Sequence, residues 1–174
     1  TTDVTCVVMA SNTSRAVGAN AAVVASSGAS VASGAVSAVV GAGTGVASGI
    51  TSAVVGGGFN TASGARAVVI GGTTNTASGN NSAVIASDGS GTLCEASGLQ
   101  SAVVASEDDC EASGVDSLVA ACDGDGGSCT ASGTQSAVIA STSVAGLNTH
   151  EWGNVCDHRV CKRSVGHGMR RRIV

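Results

Sequence analysis

One short word, Ala-Ser-Gly, returns through most of the chain and restricts its fold more than any other feature. It stands at residues 32–34, 47–49, 62–64, 77–79, 96–98, 112–114 and 131–133, and Ala16-Val17-Gly18 is a looser copy. The index glycines are Gly18, Gly34, Gly49, Gly64, Gly79, Gly98, Gly114 and Gly133, with Asp3 in that place in a truncated first copy. Successive spacings are 15, 16, 15, 15, 15, 19, 16 and 19 residues. Five residues beyond each index position stands a valine: Val8, Val23, Val39, Val54, Val69, Val84, Val103, Val119 and Val138. A period this short and regular marks a stacked repeat, in which each unit packs on its neighbours.

The run around each of these valines, such as Ala-Val-Val at 53–55, is too short for a helix. It is rich in β-branched residues, and Gly and Ser bound it. It therefore reads as a strand. Side chains alternate along a strand, so the recurring valine faces one way and its Ala and Val/Ile neighbours face the other. Both faces are apolar, and such a strand has to be covered on both sides. The Ala-Ser-Gly word and its neighbours supply a second strand. A rung of about 15 residues then holds two short strands and two tight turns. The expected fold is all-β: a parallel β-solenoid, or left-handed β-roll, of about nine rungs of 15–19 residues and roughly 40–45 Å long. The roll is assigned to residues 1–146, and a C-terminal cap with a basic tail to 147–174.

Composition supports this reading. The chain is 43% hydrophobic, but mostly through Ala and Val, with one Phe, one Trp, no Tyr and no Pro among 174 residues. Side chains this small fill a repetitive lattice rather than an ordinary globular core. One face of the valine strand closes over the thin interior, and nothing in the same chain covers the other. That predicts self-association, most simply a homotrimer, intertwined or side by side, with a ladder from Val8 to Val138 forming its core or trimer contact. The competing reading is that outward alanines and valines are merely tolerated, as single exposed apolar residues are. No apolar run is long enough to span a membrane as a helix, and no signal peptide is visible. The chain opens inside a repeat, which points to a fragment or a processed product.

The repeats at 75–85 (NTASGNNSAVI) and 49–57 (GITSAVVGG) resemble the head repeats of trimeric autotransporter adhesins, the YadA-like head. Similar repeats occur in phage tail fibres and in surface fibres of spores and large viruses. The resemblance covers about residues 3–146. It implies a trimeric left-handed β-roll displayed outside a cell, on a spore or on a virion. In that family Asn stands at the first turn. Asn60 and Asn75 match it, while Cys94, Cys110 and Cys129 take its place later in the chain.

Those three cysteines share one phase, four residues before the index glycine, and should form a column along the rod. Seven cysteines with no visible enzyme motif favour an oxidising setting. Cys94 and Cys110 lie within reach of a vertical bridge or of a bridge across the trimer. Cys122 and Cys129 bracket a loop they could close. Buried thiols acting as small hydrophobes are the alternative, and metal binding is a third. Cys156 and Cys161 are further disulfide candidates; with His158 their spacing fits no standard zinc finger.

Charge divides the chain into three surfaces. Residues 1–87 carry only Asp3, Arg15 and Arg66, residues 88–125 carry nine acids and no base, and residues 159–174 carry six bases and no acid. The two 19-residue rungs have room for bulges at about 87–93 and 122–128, the usual places for binding on a fibre. Asp123-Gly-Asp-Gly lacks the full ligand spacing of a calcium loop. Trp152 is the expected cap of the open end of the roll, and Arg170, Arg171 and Arg172 form a solvated tail or touch a neighbouring subunit. No nucleophile–base set, phosphate-binding loop or pair of carboxylates at helical spacing stands out. The expectation is a structural, non-enzymatic subunit of a surface fibre, without cofactor, nucleic-acid partner or catalytic residues, self-associating and able to join end to end. An adhesin or receptor-binding head using the lengthened rungs is the alternative. A flat ice-binding threonine ladder is missing.

Overall fold

A computed structural model describes residues 5–9, 13–85, 87, 93–107, 109–122 and 128–139, together with the backbone of 148–150 and 155–156. Among these residues every regular element is a strand, and all strand pairing is parallel. Strands alternate between two sheets along the chain. The first sheet holds β1 (Val7–Met9), β3 (Ala22–Val24), β5 (Ala38–Val40), β7 (Ala53–Val55), β9 (Val68–Ile70), β11 (Ala83–Ile85), β13 (Ala102–Val104), β15 (Leu118–Ala120), β17 (Ala137–Ile139) and β19 (Val155–Cys156). The second holds β2 (Arg15–Ala16), β4 (Val31–Ala32), β6 (Gly45–Ala47), β8 (Asn60–Ala62), β10 (Asn75–Ala77), β12 (Cys94–Ala96), β14 (Cys110–Ala112), β16 (Cys129–Ala131) and β18 (Asn148–His150). Each rung gives one strand to each sheet, so the chain is a flattened parallel β-solenoid. The strands β18 and β19 continue both sheets beyond residue 146.

The valines pair in unbroken register from Val8↔Val23 to Val119↔Val138. From Val23 to Val138 all eight are fully buried, and they face the buried alanines of the second sheet, from Ala32 to Ala131. This column is therefore the chain's own core. Val8 departs from it: in the same register, it is 48% exposed. β1 is the end strand of its sheet, and among the described residues no rung stacks beyond it to cover Val8.

The two turns of a rung are built differently. At the first, the index glycines stack so closely that a side chain has no room. A Cβ on Gly64 would run into the carbonyl of Gly79, and the same holds from Gly18 to Gly114. Three residues on, Ser37, Ser52, Ser82, Ser101, Ser117 and Ser136 are buried and donate to the carbonyl of their own index glycine at 2.6–2.8 Å. Between glycine and serine, the second residue past the glycine is left-handed in every rung: Asn20, Val36, Thr51, Arg66, Asn81, Gln100, Asp116 and Gln135 have φ of 54–58°. That conformation aims the N–H along the rod, as in Thr51 N–H to the Ala35 carbonyl (2.8 Å) and Arg66 N–H to the Ile50 carbonyl (2.8 Å).

The second turn absorbs every difference in rung length. Two inward positions flank it, three residues after the valine and four before the next glycine. They are Ser26/Ser30, Ala42/Gly45, Gly57/Asn60, Gly72/Asn75, Ser87/Cys94, Ser106/Cys110 and Cys122/Cys129. Rungs of 15 residues separate these positions by 3, rungs of 16 by 4 and rungs of 19 by 7. The pairs are matched in size. Ser26 Oγ donates to Ser30 Oγ at 2.6 Å, whereas a Cβ on Gly57 or Gly72 would strike the amide of Asn60 or Asn75. The Asn60 amide nitrogen donates to the carbonyls of Gly56, Gly71 and Gly72 at 3.1–3.3 Å, and its oxygen accepts the Asn75 N–H at 3.0 Å. One large polar side chain thus ties two rungs together where glycine leaves space.

Candidate functional site

The two sheets present unlike outer faces. On the second sheet the outward column runs Val31, Val46, Thr61, Thr76, Glu95, Glu111, Thr130. Outward serines at 48, 63, 78, 97, 113 and 132 lie beside it. Ser78 Oγ donates to Glu95 Oε1 at 2.9 Å. This is a face written for water over most of its length.

The first sheet is apolar outside as well as inside. One outward column is Ala22, Ala38, Ala53, Val68, Ala83, Ala102, Leu118 and Ala137; the other is Met9, Val24, Val40, Val55, Ile70, Ile85, Val104, Ala120 and Ile139. Val40, Val55 and Ile70 are 39–42% exposed, and the first turn adds exposed Ile50, Leu99 and Val115. No charged side chain interrupts the two columns. Isolated surface hydrophobes need no explanation, but a continuous ladder is a candidate contact surface.

No family model, curated protein or solved structure matches this chain.

The cysteines divide. Cys122 and Cys129 form a disulfide across the second turn of their rung, with Cα atoms 6.5 Å apart, as their position around the lengthened loop suggested. Cys94, Cys110 and Cys129 do form a buried column. The vertical Cys94–Cys110 bridge is not made, and both keep their thiols. The Cys110 Sγ–H points to the Glu107 carbonyl at 3.3 Å. Cys6, at the other end, is exposed, with Sγ 3.2 Å from the Gly18 carbonyl. Cys156 lies on β19 in register with Val138, in the valine column rather than the cysteine column. Cys161, the C-terminal cluster around it and the bulges at 88–92 and 123–127 lie outside the described residues.

Sequence reasoning missed the column that faces the cysteines, from Ser26 to Cys122. Its signal was available: a fixed offset of three residues after each valine.

Proposed function

We propose that this chain is a structural subunit of a surface fibre, extracellular or on a spore or virion. In this reading three copies pack the outer faces of their first sheets about a common axis. The observation that carries the reading is the contrast between the two sheets. This chain makes a water-facing sheet from Thr, Ser and Glu, and on the opposite side it makes a continuous ladder of Ala, Val and Ile. Burying such a ladder returns about 25 cal/mol for each Å² of apolar surface removed from water. Flat faces of small residues allow backbones to approach closely around an axis, and a closed ring of identical faces leaves no ladder uncovered. The resemblance to YadA-like head repeats supports the same arrangement. The work is mechanical: a spacer or rod, without chemistry.

Sedimentation equilibrium of the full chain tests this directly. The expected result is a single species of three times the chain mass at micromolar concentration, in oxidising and in reducing buffer. A monomer over the whole concentration range overturns the reading.

A further inference from the structure

Cys110, Cys122 and Cys129 bring three sulfur atoms within 4.8 Å of one another, and all three side chains are buried. The solenoid makes the cluster. Cys110 and Cys129 are direct register partners on successive rungs of the second sheet. Cys122 reaches them from the facing column, across the second turn. Earlier rungs place at most one cysteine at the corresponding inward positions, Cys94 opposite Ser87 and Cys110 opposite Ser106, so three sulfurs converge only where Cys122 and Cys129 follow Cys110.

We infer that, once the Cys122–Cys129 disulfide is reduced, these three cysteines form a binding site for a soft divalent cation of the zinc–cadmium type. Thiolates held at about 2.3 Å from such an ion stand about 4 Å apart, inside the 4.8 Å within which the three sulfurs lie, so reduction has only to let the Cys122 and Cys129 sulfurs separate from bonding distance. Among the described residues no histidine or carboxylate belongs to the cluster, and an all-sulfur donor set selects soft metals over magnesium or calcium. Charge favours the same occupant. Arg15 and Arg66 are the only bases in residues 1–139, and neither lies on a rung next to the cluster. Three buried thiolates without a cation would be prohibitive. A divalent ion reduces their net charge from −3 to −1.

The steps balance. A phosphine reductant takes the oxygen of one water to become its oxide. The two electrons and two protons released convert the disulfide into the thiols of Cys122 and Cys129. The cation then binds three sulfurs and displaces three protons. Disulfide and metal are therefore alternative clamps on the same turn, and the metal clamp also ties in the preceding rung through Cys110.

The test uses the full chain, reduced with a phosphine, desalted without oxygen and titrated with cadmium. The expected result is thiolate-to-cadmium charge-transfer absorption that saturates with a site of three sulfurs per chain. Cadmium should shield Cys110, Cys122 and Cys129 from alkylation, as mapped by mass spectrometry on the unmutated protein. The disulfide-bonded chain should show no such shielding. Cys110→Ser should weaken binding at least about tenfold, whereas Cys94→Ser should leave it unchanged. Far-ultraviolet circular dichroism shows whether each variant keeps its sheets. Shielding confined to other cysteines, equal shielding of Cys110 in the oxidised chain, or full affinity in a folded Cys110→Ser variant overturns the inference.

Discussion

Val36 holds a backbone conformation that valine avoids. Its φ is 58°, and left-handed geometry costs an L-residue with a branched Cβ about 1–2 kcal/mol. The register imposes it, because the Val36 N–H donates to the Ala19 carbonyl at 2.7 Å. Asn20 and Asn81 occupy the same place in other rungs. Val36→Asn should therefore raise the unfolding free energy by about 1 kcal/mol, read as a higher urea midpoint at unchanged slope. Gly64 poses the opposite case. Its constraint is space rather than φ, because a Cβ would meet the Gly79 carbonyl. Backbone on both sides cannot move aside, so Gly64→Ala should cost about 2–3 kcal/mol and lower the thermal midpoint by several degrees. The index glycines were legible in the sequence because nothing else fits there. The left-handed position was not, because Asn, Val, Thr, Arg, Gln and Asp all occupy it and share no side-chain property.

At the scale of the turn, one side of every rung is fixed and the other is variable. Five residues always separate glycine from valine, while 3, 4 or 7 separate the two inward positions of the second turn. Ser87 and Cys94 stand in the places of Cys122 and Cys129, at the same separation of 7. Ser87→Cys should thus form a second loop-closing disulfide with Cys94. The added stability should be about 2 kcal/mol, lost on reduction. Counting reactive thiols and comparing melting curves with and without reductant checks it. The cysteine column could be read from sequence because its members share a residue type and a phase. Its facing column could not, since Ser, Ala, Gly and Cys follow one another there. Only the coordinates show that each is chosen to fit its opposite number.

For the whole molecule, period and strand composition were enough to reach a parallel solenoid. They did not tell inside from outside. A three-residue strand of Ala-Val-Val is apolar both ways, and only closure of the second sheet over the valines shows which face is left outside. That outer face carries the prediction at this scale. Val55→Glu and Ile70→Lys lie outward on adjacent rungs and together should convert the proposed trimer to single chains that keep their β circular dichroism. The melting temperature of the unmutated chain should rise with concentration, and that of the double variant should not. The direction of the hydrogen bonds has a mechanical outcome. Those between paired strands join one rung to the next, as do Gly64 to Ala77 and Ser78 to Ala96, and the disulfide closes within a single rung. Among the described residues, tension applied along the long axis thus meets no disulfide between layers, and a chain pulled from its ends should peel away one coil at a time, each release lengthening it by a similar step.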